Sequence, residues 1–168
     1  SDLPAALVAA GAMIEVAGEA GKREIAAEDF FEDYLTTALQ AGEMVSSVLL
    51  PAQPDGAMGH YEKFARVHGD YATLSVALVL AISGGECSFV RIALGAAGPA
   101  PLRVAEAEAC LIGTALDADA VTAAAALLAE ASDPVDDVRG SAEYRQMLVP
   151  RLLARALAAA RAKAEAAP

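Results

Sequence analysis

The stretch Thr73–Gly95, TLSVALVLAISGGECSFVRIALG, decides the fold of this chain. Its first part, residues 73–82, is rich in Val and Leu, as expected of a long buried strand. Gly84 and Gly85 follow, and two consecutive glycines can both adopt the positive φ that a tight primed turn demands. The residues from Glu86 to Gly95 are therefore predicted to fold back as the antiparallel partner of the first strand.

The residues upstream of this hairpin divide into short elements. The patterns predict a helix over 3–10 and strands over 12–16, 22–25, 43–50 and 61–65. A further helix is predicted to begin at Ala27, because Glu28 and Asp29 place acidic side chains in its first turn, where the helix dipole favours them.

The residues downstream of the hairpin are predicted to be helical. The pattern indicates helices over 103–112, 117–132 and 142–166. Asp117 or Asp119 is the expected cap of the second helix, and Ser141 that of the third. Pro150 removes a backbone donor inside the third helix and clashes with the preceding turn, so a kink or a break is expected near Val149.

A run of turn formers, Pro51–Gly56, separates two patterned regions of the chain. We therefore expect a boundary that divides it into residues 1–55 and 56–168. Strands followed by helices in the second region are typical of an α+β fold.

The composition excludes several classes of protein. A net charge of −11 argues against a nucleic-acid binder and against binding to anionic membranes. The longest apolar run, about Leu74–Ile82, is shorter than the roughly 18–20 residues that a transmembrane helix needs. The two cysteines, Cys87 and Cys110, do not resemble a disulfide framework, and no signal peptide is visible. A cytoplasmic, reducing compartment is therefore expected.

Six spaced blocks of the sequence carry a family resemblance: REIAAEDFF (23–31), TTALQAGEMVSSVLLP (36–51), YEKFARVHGDYA (61–72), RIALGAAGPAPLRVAEAEACLIG (91–113), DVRGSAEYRQML (137–148) and RLLARAL (151–157). In this order they closely resemble the FAD-binding medium subunit of molybdenum hydroxylases. That family includes the flavoprotein of carbon monoxide dehydrogenase and the flavin domain of xanthine dehydrogenase.

The resemblance implies a fold. It implies an α+β chain: the second half of a flavin-binding α/β domain, followed by a carbon monoxide dehydrogenase flavoprotein-type C-terminal domain with a three-stranded antiparallel sheet packed on helices. The resemblance also implies that the glycine-rich loops that hold the flavin diphosphate precede Ser1. Nothing in this sequence replaces them, since no loop before Gly84 offers converging backbone N–H groups. We expect the chain to be the downstream part of a longer subunit.

The resemblance also implies a function, which is electron transfer by an oxidoreductase subunit. Substrate is hydroxylated at a molybdenum cofactor on a large subunit, and iron–sulfur clusters on a small subunit relay the electrons. FAD on the medium subunit then passes them to NAD+, a quinone or oxygen. The alternative is an interaction or scaffold module of such an assembly that binds no flavin by itself.

Four residues are implied by the resemblance to face the flavin. Asp2 matches an aspartate near the isoalloxazine and ribityl region, Met44 and Val45 match an apolar strand beside the ring, and Lys63 matches a lysine near it. An apolar residue excludes water from the ring, and a lysine favours its negatively charged reduced form. The alternative is that Asp2 is a frayed terminus, Val45 a core residue and Lys63 a solvated strand residue.

Other chemistry-bearing residues give weaker signals. His60 and His68 have no partner at metal-ligand spacing, and Cys87 and Cys110 are expected to pack in the interior. Glu106 and Glu108 are two apart on a predicted helix, so they point to different faces and do not form a catalytic carboxylate pair.

Two polar segments complete the prediction. The loop Arg66–Tyr71 corresponds by resemblance to one close to the flavin and implicated in access of the electron acceptor, with an ordinary polar loop as the alternative. The segment Asp136–Arg145 is expected to be the charged start of the last helix. In it, Arg139 or Arg145 is expected to pair with Asp136 or Asp137, and Tyr144 to pack inward.

Overall fold

The computed structural model of the chain describes residues 1–67 and 69–166. Its helices are α1 (Leu3–Ala10), α2 (Ala27–Phe30), α3 (Ala105–Ala109), α4 (Ala118–Ala131) and α5 (Ala142–Ala166). Its strands are β1 (Met13–Gly18), β2 (Gly21–Ala26), β3 (Phe31–Asp33), β4 (Thr36–Thr37), β5 (Met44–Leu49), β6 (Met58–Phe64), β7 (Leu74–Ser83) and β8 (Glu86–Gly95).

The predicted hairpin forms two strands of an antiparallel sheet with the order β6-β7-β8, in which β7 is central. Strands β7 and β8 meet at Ser83 and Glu86, and the intervening Gly84 and Gly85 have φ values of 61° and 87°. The prediction of a turn with positive φ at both glycines is therefore confirmed. Strand β7 is buried along most of its length because helices cover both faces of this sheet.

Helices α4 and α5 cover one face of the sheet with aliphatic side chains. The residues of α5 that are buried there include Leu148, Leu152, Leu153, Ala156, Leu157 and Ala160. Of the kink or break expected near Val149, the break is wrong, because α5 runs unbroken from Ala142 to Ala166 with Pro150 inside it, and the kink stays a prediction. Val149 and Leu152 are buried on either side of the proline, and this packing offsets the hydrogen bond that a proline cannot donate.

Helix α1 covers the opposite face, where Ala77 of β7 and Ala93 of β8 allow close approach. Val8 of α1 is buried in a second hydrophobic core, which also contains residues of β1. Strand β1 is the middle strand of a sheet with the order β2-β1-β5. The N-terminal residues therefore pack directly on the sheet formed by later parts of the chain. This packing positions Asp2, which directly precedes α1, beside the β6-β7-β8 sheet.

Two predicted helices are much shorter than expected. The helix that begins at Ala27 ends after one turn, because the chain becomes extended at Phe31 and enters the β3-β4 hairpin. The helix predicted over 103–112 is limited to Ala105–Ala109, since Val104 is extended and Gly113 has a φ of 74°. Helix α4 begins as predicted, with Asp117 rather than Asp119 as the cap that accepts hydrogen bonds from two backbone N–H groups.

An ion pair fastens the start of β5 to β2. Arg23 donates from Nε to Glu43 Oε1 at 2.8 Å and from Nη2 to Glu43 Oε2 at 2.7 Å. The backbone N–H of Gln40 donates to the same carboxylate at 2.7 Å. The hydrogen bonds from Arg23, followed by the one from Gln40, lower the pKa of Glu43 to about 2.

Acid is expected to remove the contribution of this pair to stability. A carboxyl whose pKa is lower in the folded than in the unfolded chain stabilises the fold above its unfolded pKa, ordinarily 4.5, and that contribution is lost as the pH falls towards about 2. Glu43→Gln should therefore lower the free energy of unfolding at neutral pH and change it little near pH 2, as measured by urea denaturation. The matched control is Glu24→Gln, which alters an exposed side chain of β2. An equal loss at both pH values would contradict the assignment.

The model offers no candidate for a membrane-spanning helix in residues 1–67 and 69–166.

Candidate functional site

Lys63 and Asp2 meet although they are 61 positions apart in the sequence. Lys63 lies near the end of β6 with 19% of its side chain exposed, and its Nζ donates to Asp2 Oδ2 at 2.9 Å. A second N–H of the same ammonium donates to the backbone carbonyl of Asp70 at 3.1 Å. Two of the four residues predicted to face a flavin are thus in direct contact. Lys63 is held by acceptors from two other segments of the chain, so it is not a freely solvated strand residue.

Tyr61 stands beside this pair on the same face of β6, because residues two apart on a strand point the same way. Its hydroxyl is buried close to the Asp2 carboxylate and the Ser75 hydroxyl, yet it forms no well-directed hydrogen bond with any described residue. Burial raises the pKa of Tyr61 to about 12, and Asp2 adds to this rise while Ser75 opposes it. The phenol is therefore a neutral hydrogen-bond donor at physiological pH.

Asp2 is the negative member of the site. Burial tends to raise its pKa, but the hydrogen bond and charge of Lys63, together with the nearby Tyr61 hydroxyl, outweigh burial and keep the pKa below its ordinary value. The carboxylate is therefore ionised and balances the charge of the lysine. The sequence prediction did not include Tyr61, although its spacing from Lys63 on a strand is the signal that identifies it.

Two cavities are lined by different described residues of the segment 65–73, which we name the β6-β7 loop. One cavity, of about 430 Å³, is lined by Asp2, Tyr61, Lys63, Ala65, Arg66 and Val67. The other, of about 470 Å³, extends from Tyr71 and Ala72 to the β3-β4 hairpin and the segment 95–101. His68 lies outside the described residues, and the role predicted for Arg66–Tyr71 in access of an electron acceptor stays a prediction.

The two cavities have an apolar rim. Val67 and Tyr71 of the β6-β7 loop are about two-thirds exposed, and Tyr34 is about half exposed. Leu35, at the tip of the β3-β4 hairpin, is fully exposed and has a φ of 54°, in the left-handed region that a leucine rarely adopts. Tyr34, Leu35 and Tyr71 line the larger cavity, and Val67 lines the one that contains Lys63 and Asp2.

Met44 and Val45 lie in a different part of the molecule. They are on β5, paired with Ala17 and Val16 of β1, and their side chains are 67% and 40% exposed. Within the described residues, neither contacts Asp2 or Lys63 and neither lines the two cavities. Val45 is not a core residue, and its place beside a flavin ring stays a prediction.

The segment Asp136–Arg145, which we name the charged segment, caps α5 as predicted. The Ser141 hydroxyl accepts a hydrogen bond from the Tyr144 N–H at 3.1 Å, and the Asp136 carboxylate accepts one from the Ala142 N–H at 2.7 Å. The Tyr144 ring packs edge-on against Phe64, with ring centroids 6.3 Å apart. Both the cap and the inward packing of Tyr144 are confirmed.

Both arginines of the charged segment pair with Asp137. Arg145 is 4% exposed and donates to the Asp137 carboxylate and to the backbone carbonyl of Thr73. Arg139 lies 3.9 Å from Asp137 Oδ2 and 3.3 Å from Asp70 Oδ1. The backbone N–H of Arg139 and the charge of Arg145 keep the pKa of Asp137 below its ordinary value. The charged segment thus binds the β6-β7 loop.

Glu108 has a structural role that the sequence did not reveal. It is 6% exposed and accepts hydrogen bonds from the backbone N–H of Ile92 at 2.8 Å and from Arg103 Nε and Nη2 at 2.9 and 2.8 Å. Arg103 also donates to Glu28 at 2.8 Å, and these two carboxylates raise the pKa of the guanidinium, Glu108 most. Glu106 is exposed, which agrees with the prediction that the two glutamates point to different faces.

The remaining candidates make structural contacts. His60 Nε2 lies 3.1 Å from Glu62 Oε2, and its Nδ1 lies 3.2 Å from Lys163 Nζ. Cys87 and Cys110 are free thiols, and burial raises the pKa of Cys87 to about 11, so this thiol stays protonated. No group of three or more His, Cys, Asp or Glu that suits a metal ion occurs in the described part of the chain.

Two family models match the chain in succession. The FAD binding domain in molybdopterin dehydrogenase matches residues 1–53, and the CO dehydrogenase flavoprotein C-terminal domain matches residues 59–160. The second match extends over more than half of the chain and contains Tyr61, Lys63, the β6-β7 loop and the charged segment. The first contains Asp2.

Known proteins are similar over nearly the whole chain. The carbon monoxide dehydrogenase medium chain of Afipia carboxidovorans is 39% identical over 98% of this chain and 57% of its own length. The nicotine 6-hydroxylase medium subunit of Paenarthrobacter nicotinovorans is 38% identical over 95% of this chain and 56% of its own length. A crystal structure of the Cu,Mo-CO dehydrogenase in its cyanide-inactivated form superposes with a TM-score of 0.93 at 40% identity, over 96% of this chain and 56% of that one. This chain thus spans somewhat more than half the length of these relatives.

Proposed function

Because the chain belongs to the CO dehydrogenase flavoprotein family, the FAD-binding medium subunits of molybdenum hydroxylases, we propose that it forms the part of such a subunit that faces the flavin ring. The complete subunit would receive electrons from iron–sulfur clusters on a small subunit and pass them to NAD+, a quinone or oxygen. Substrate would be oxidised at the molybdenum cofactor of a large subunit. FAD, when bound, supplies the two-electron redox chemistry.

The observation that carries this proposal is the cluster of Lys63, Asp2 and Tyr61, which lines a cavity of about 430 Å³. An ammonium has three N–H donors, and Lys63 uses two of them on Asp2 and Asp70. The buried Tyr61 hydroxyl also lacks a well-directed partner among the described residues. These donors fit a ligand that presents several acceptor atoms, as the pyrimidine end of a flavin does.

The roles of the residues follow from their charge and burial. Lys63 would place positive charge where the ring gains negative charge on reduction, and Asp2 would fix the ammonium and moderate its charge. Tyr61 would donate a hydrogen bond, because its raised pKa keeps the hydroxyl protonated. Met44 and Val45 would cover the ring and exclude water, as the family resemblance implies.

The described residues do not offer a matching site for the flavin diphosphate. Such a cradle needs converging backbone N–H groups in a glycine-rich loop. The consecutive positive-φ glycines among the described residues are Gly84 and Gly85, and these close the β7-β8 hairpin. We propose that the cradle belongs to another part of a longer subunit.

The division into residues 1–55 and 56–168 is part of the same proposal. The ranges that the two family models match, 1–53 and 59–160, support it. A cytoplasmic location is also proposed, and the free thiols of Cys87 and Cys110 fit a reducing compartment.

Flavin binding by the full-length subunit tests the proposal. We expect the full-length protein to show the absorbance of bound oxidised flavin at about 450 nm. We expect the present chain alone to bind FAD at least about a hundredfold more weakly, because several charge-assisted hydrogen bonds to the diphosphate, each of about 1.5–3 kcal/mol, are missing. Equilibrium dialysis of both proteins with FAD measures the difference.

A colourless full-length subunit that takes up no added FAD would contradict the flavin proposal. It would favour the alternative, an interaction module that binds no flavin and docks on the other subunits. Co-purification with an iron–sulfur subunit and a molybdenum subunit would then remain, while flavin binding would not.

A further inference from the structure

The charged segment has a second consequence beside capping α5, because it binds the loop that positions Lys63. The Lys63 ammonium is fixed by Asp2 Oδ2 at 2.9 Å and by the Asp70 carbonyl at 3.1 Å. The first acceptor is a side chain near the N-terminus. The second belongs to the backbone of the β6-β7 loop, so the position of that loop determines whether this hydrogen bond forms.

Arg139 holds Asp70 from outside the β6-β7 loop. Inside the loop, the exposed Arg66 lies 3.8 Å from Asp70 Oδ2, and the Tyr71 N–H donates to Asp70 Oδ1 at 2.8 Å. The Nη2 and Nε atoms of Arg139 lie 3.3 and 3.4 Å from Asp70 Oδ1, and its guanidinium carbon lies 5.2 Å from the centre of the Tyr71 ring. A guanidinium can bind a carboxylate and contact an aromatic face at the same time, which an ammonium does less well. Asp70 is 17% exposed at its side chain and Arg139 is 29% exposed, so solvent screens this pair only in part.

Arg139 is itself fixed by the body of the molecule. Its backbone N–H donates to Asp137 Oδ1 at 2.7 Å, and Asp137 is bound by the buried Arg145. Arg145 also donates to the Thr73 carbonyl, at the end of the β6-β7 loop. The charged segment therefore binds this loop at Asp70, Tyr71 and Thr73, while α5 anchors the segment to the core.

We propose that Arg139 is a positioning residue for Lys63. By binding the Asp70 side chain, it holds the Asp70 backbone carbonyl at the place where that carbonyl accepts a hydrogen bond from the lysine. Loss of Arg139 leaves the Asp70 carboxylate with partners only inside its own loop, the exposed Arg66 and the Tyr71 N–H. The loop and its Asp70 carbonyl are then held less firmly, so the Lys63 ammonium becomes more accessible. This positioning is a property of the chain itself, and its consequence for flavin chemistry rests on the function proposed above.

Acetylation of the lysines tests this inference without any flavin. The chain has three lysines, Lys22, Lys63 and Lys163, so the rate of modification at Lys63 can be measured by mass spectrometry against two internal references. With acetic anhydride as the probe, Arg139→Ala is expected to raise the rate at Lys63 about threefold to tenfold, because a charge-assisted hydrogen bond is lost. The rates at Lys22 and Lys163 should not change.

Three further variants separate positioning from a general loss of structure. Arg139→Lys keeps a positive charge that can reach Asp70 but fits the Tyr71 ring less well, so it should restore part of the protection when acetylation is kept low enough to leave the introduced lysine largely unmodified. Asp70→Asn keeps the backbone carbonyl but removes the charge that Arg139 binds, so it should raise the rate at Lys63 as Arg139→Ala does. Arg151→Ala is the matched control, since Arg151 is an exposed arginine of α5.

Unchanged acetylation of Lys63 in folded Arg139→Ala and Asp70→Asn would overturn the inference. An equal rise at all three lysines would also overturn it, because that result indicates unfolding rather than release of one loop. If Arg139→Ala does not fold, Asp70→Asn decides, since it changes one charged group to an isosteric neutral one. Altered Lys63 reactivity in a full-length subunit that binds no FAD would contradict the proposed function and leave the positioning role intact.

Discussion

Replacing Glu108 by alanine should lower the free energy of unfolding of the chain by about 3–5 kcal/mol. Glu108 is 6% exposed, and its carboxylate accepts hydrogen bonds from Arg103 and from the Ile92 N–H. Its removal leaves a largely buried guanidinium without its main partner and a buried strand N–H without an acceptor, and each of these losses is costly. The effect should be visible in urea denaturation followed by circular dichroism.

Two related variants sharpen the Glu108 prediction. Glu108→Gln keeps an acceptor for the Ile92 N–H but loses the charge, so its effect should be intermediate, about 1–3 kcal/mol. Glu106→Ala is the matched control on the same short helix, and because Glu106 is exposed it should change stability by less than about 0.5 kcal/mol. If Glu108→Ala destabilises the chain no more than Glu106→Ala does, the carboxylate is not a structural anchor.

The elements with a strong local pattern could be predicted from the sequence. The hairpin Thr73–Gly95 combines two apolar strands with a glycine pair, and helix α5 has aliphatic residues repeated at helical spacing, so both were predicted nearly to the residue. The patterns of α2 and α3 also favour helices. Their lengths could not be predicted, because the local pattern does not indicate the extended backbone of Phe31, which ends α2, or of Val104, which precedes α3.

Pro150 is a second case in which the local pattern is not sufficient, because α5 is continuous at a residue where the pattern predicts an interruption. A proline inside a helix costs about 3 kcal/mol locally. The buried residues on both sides of Pro150, however, belong to the largest core cluster of the described residues. Each fully buried leucine of α5 contributes about 1.5–3 kcal/mol, and several of them are present. The long-range packing therefore outweighs the local penalty, and no local pattern contains that information.

The candidate site was predictable only in part for a related reason. The resemblance to the family singled out Asp2 and Lys63, and the structure brings them into contact. The contacts that Tyr61 and Arg139 make depend on how β6, the β6-β7 loop and the start of α5 pack together. Arg139 is 69 positions from Asp70, so only the folded chain shows that they are partners.

The contact between Lys63 and Asp2 makes opposite predictions for substitution of its two members. In the full-length subunit with FAD bound, Lys63→Met should lower the midpoint potential of the flavin, because it removes positive charge that stabilises the reduced ring. Asp2→Asn should raise it, because the ammonium then acts without its compensating carboxylate. An interaction of about 1.4 kcal/mol corresponds to roughly 30 mV for a two-electron couple, so shifts of roughly 30–60 mV in each direction are expected.

Anaerobic spectroelectrochemistry of the two variants, with Arg151→Ala as the control, measures these shifts. The signs matter more than the sizes, because a pair that only fastens the N-terminus to the sheet would respond alike to the loss of either member. In that case both variants would lose stability by similar amounts and the potential would move little, or in the same direction. Opposite shifts would instead require that the charges of Lys63 and Asp2 both act on the flavin, since a Coulomb interaction changes sign with the charge that is removed. Two shifts of the same sign would therefore exclude an electrostatic role for this pair.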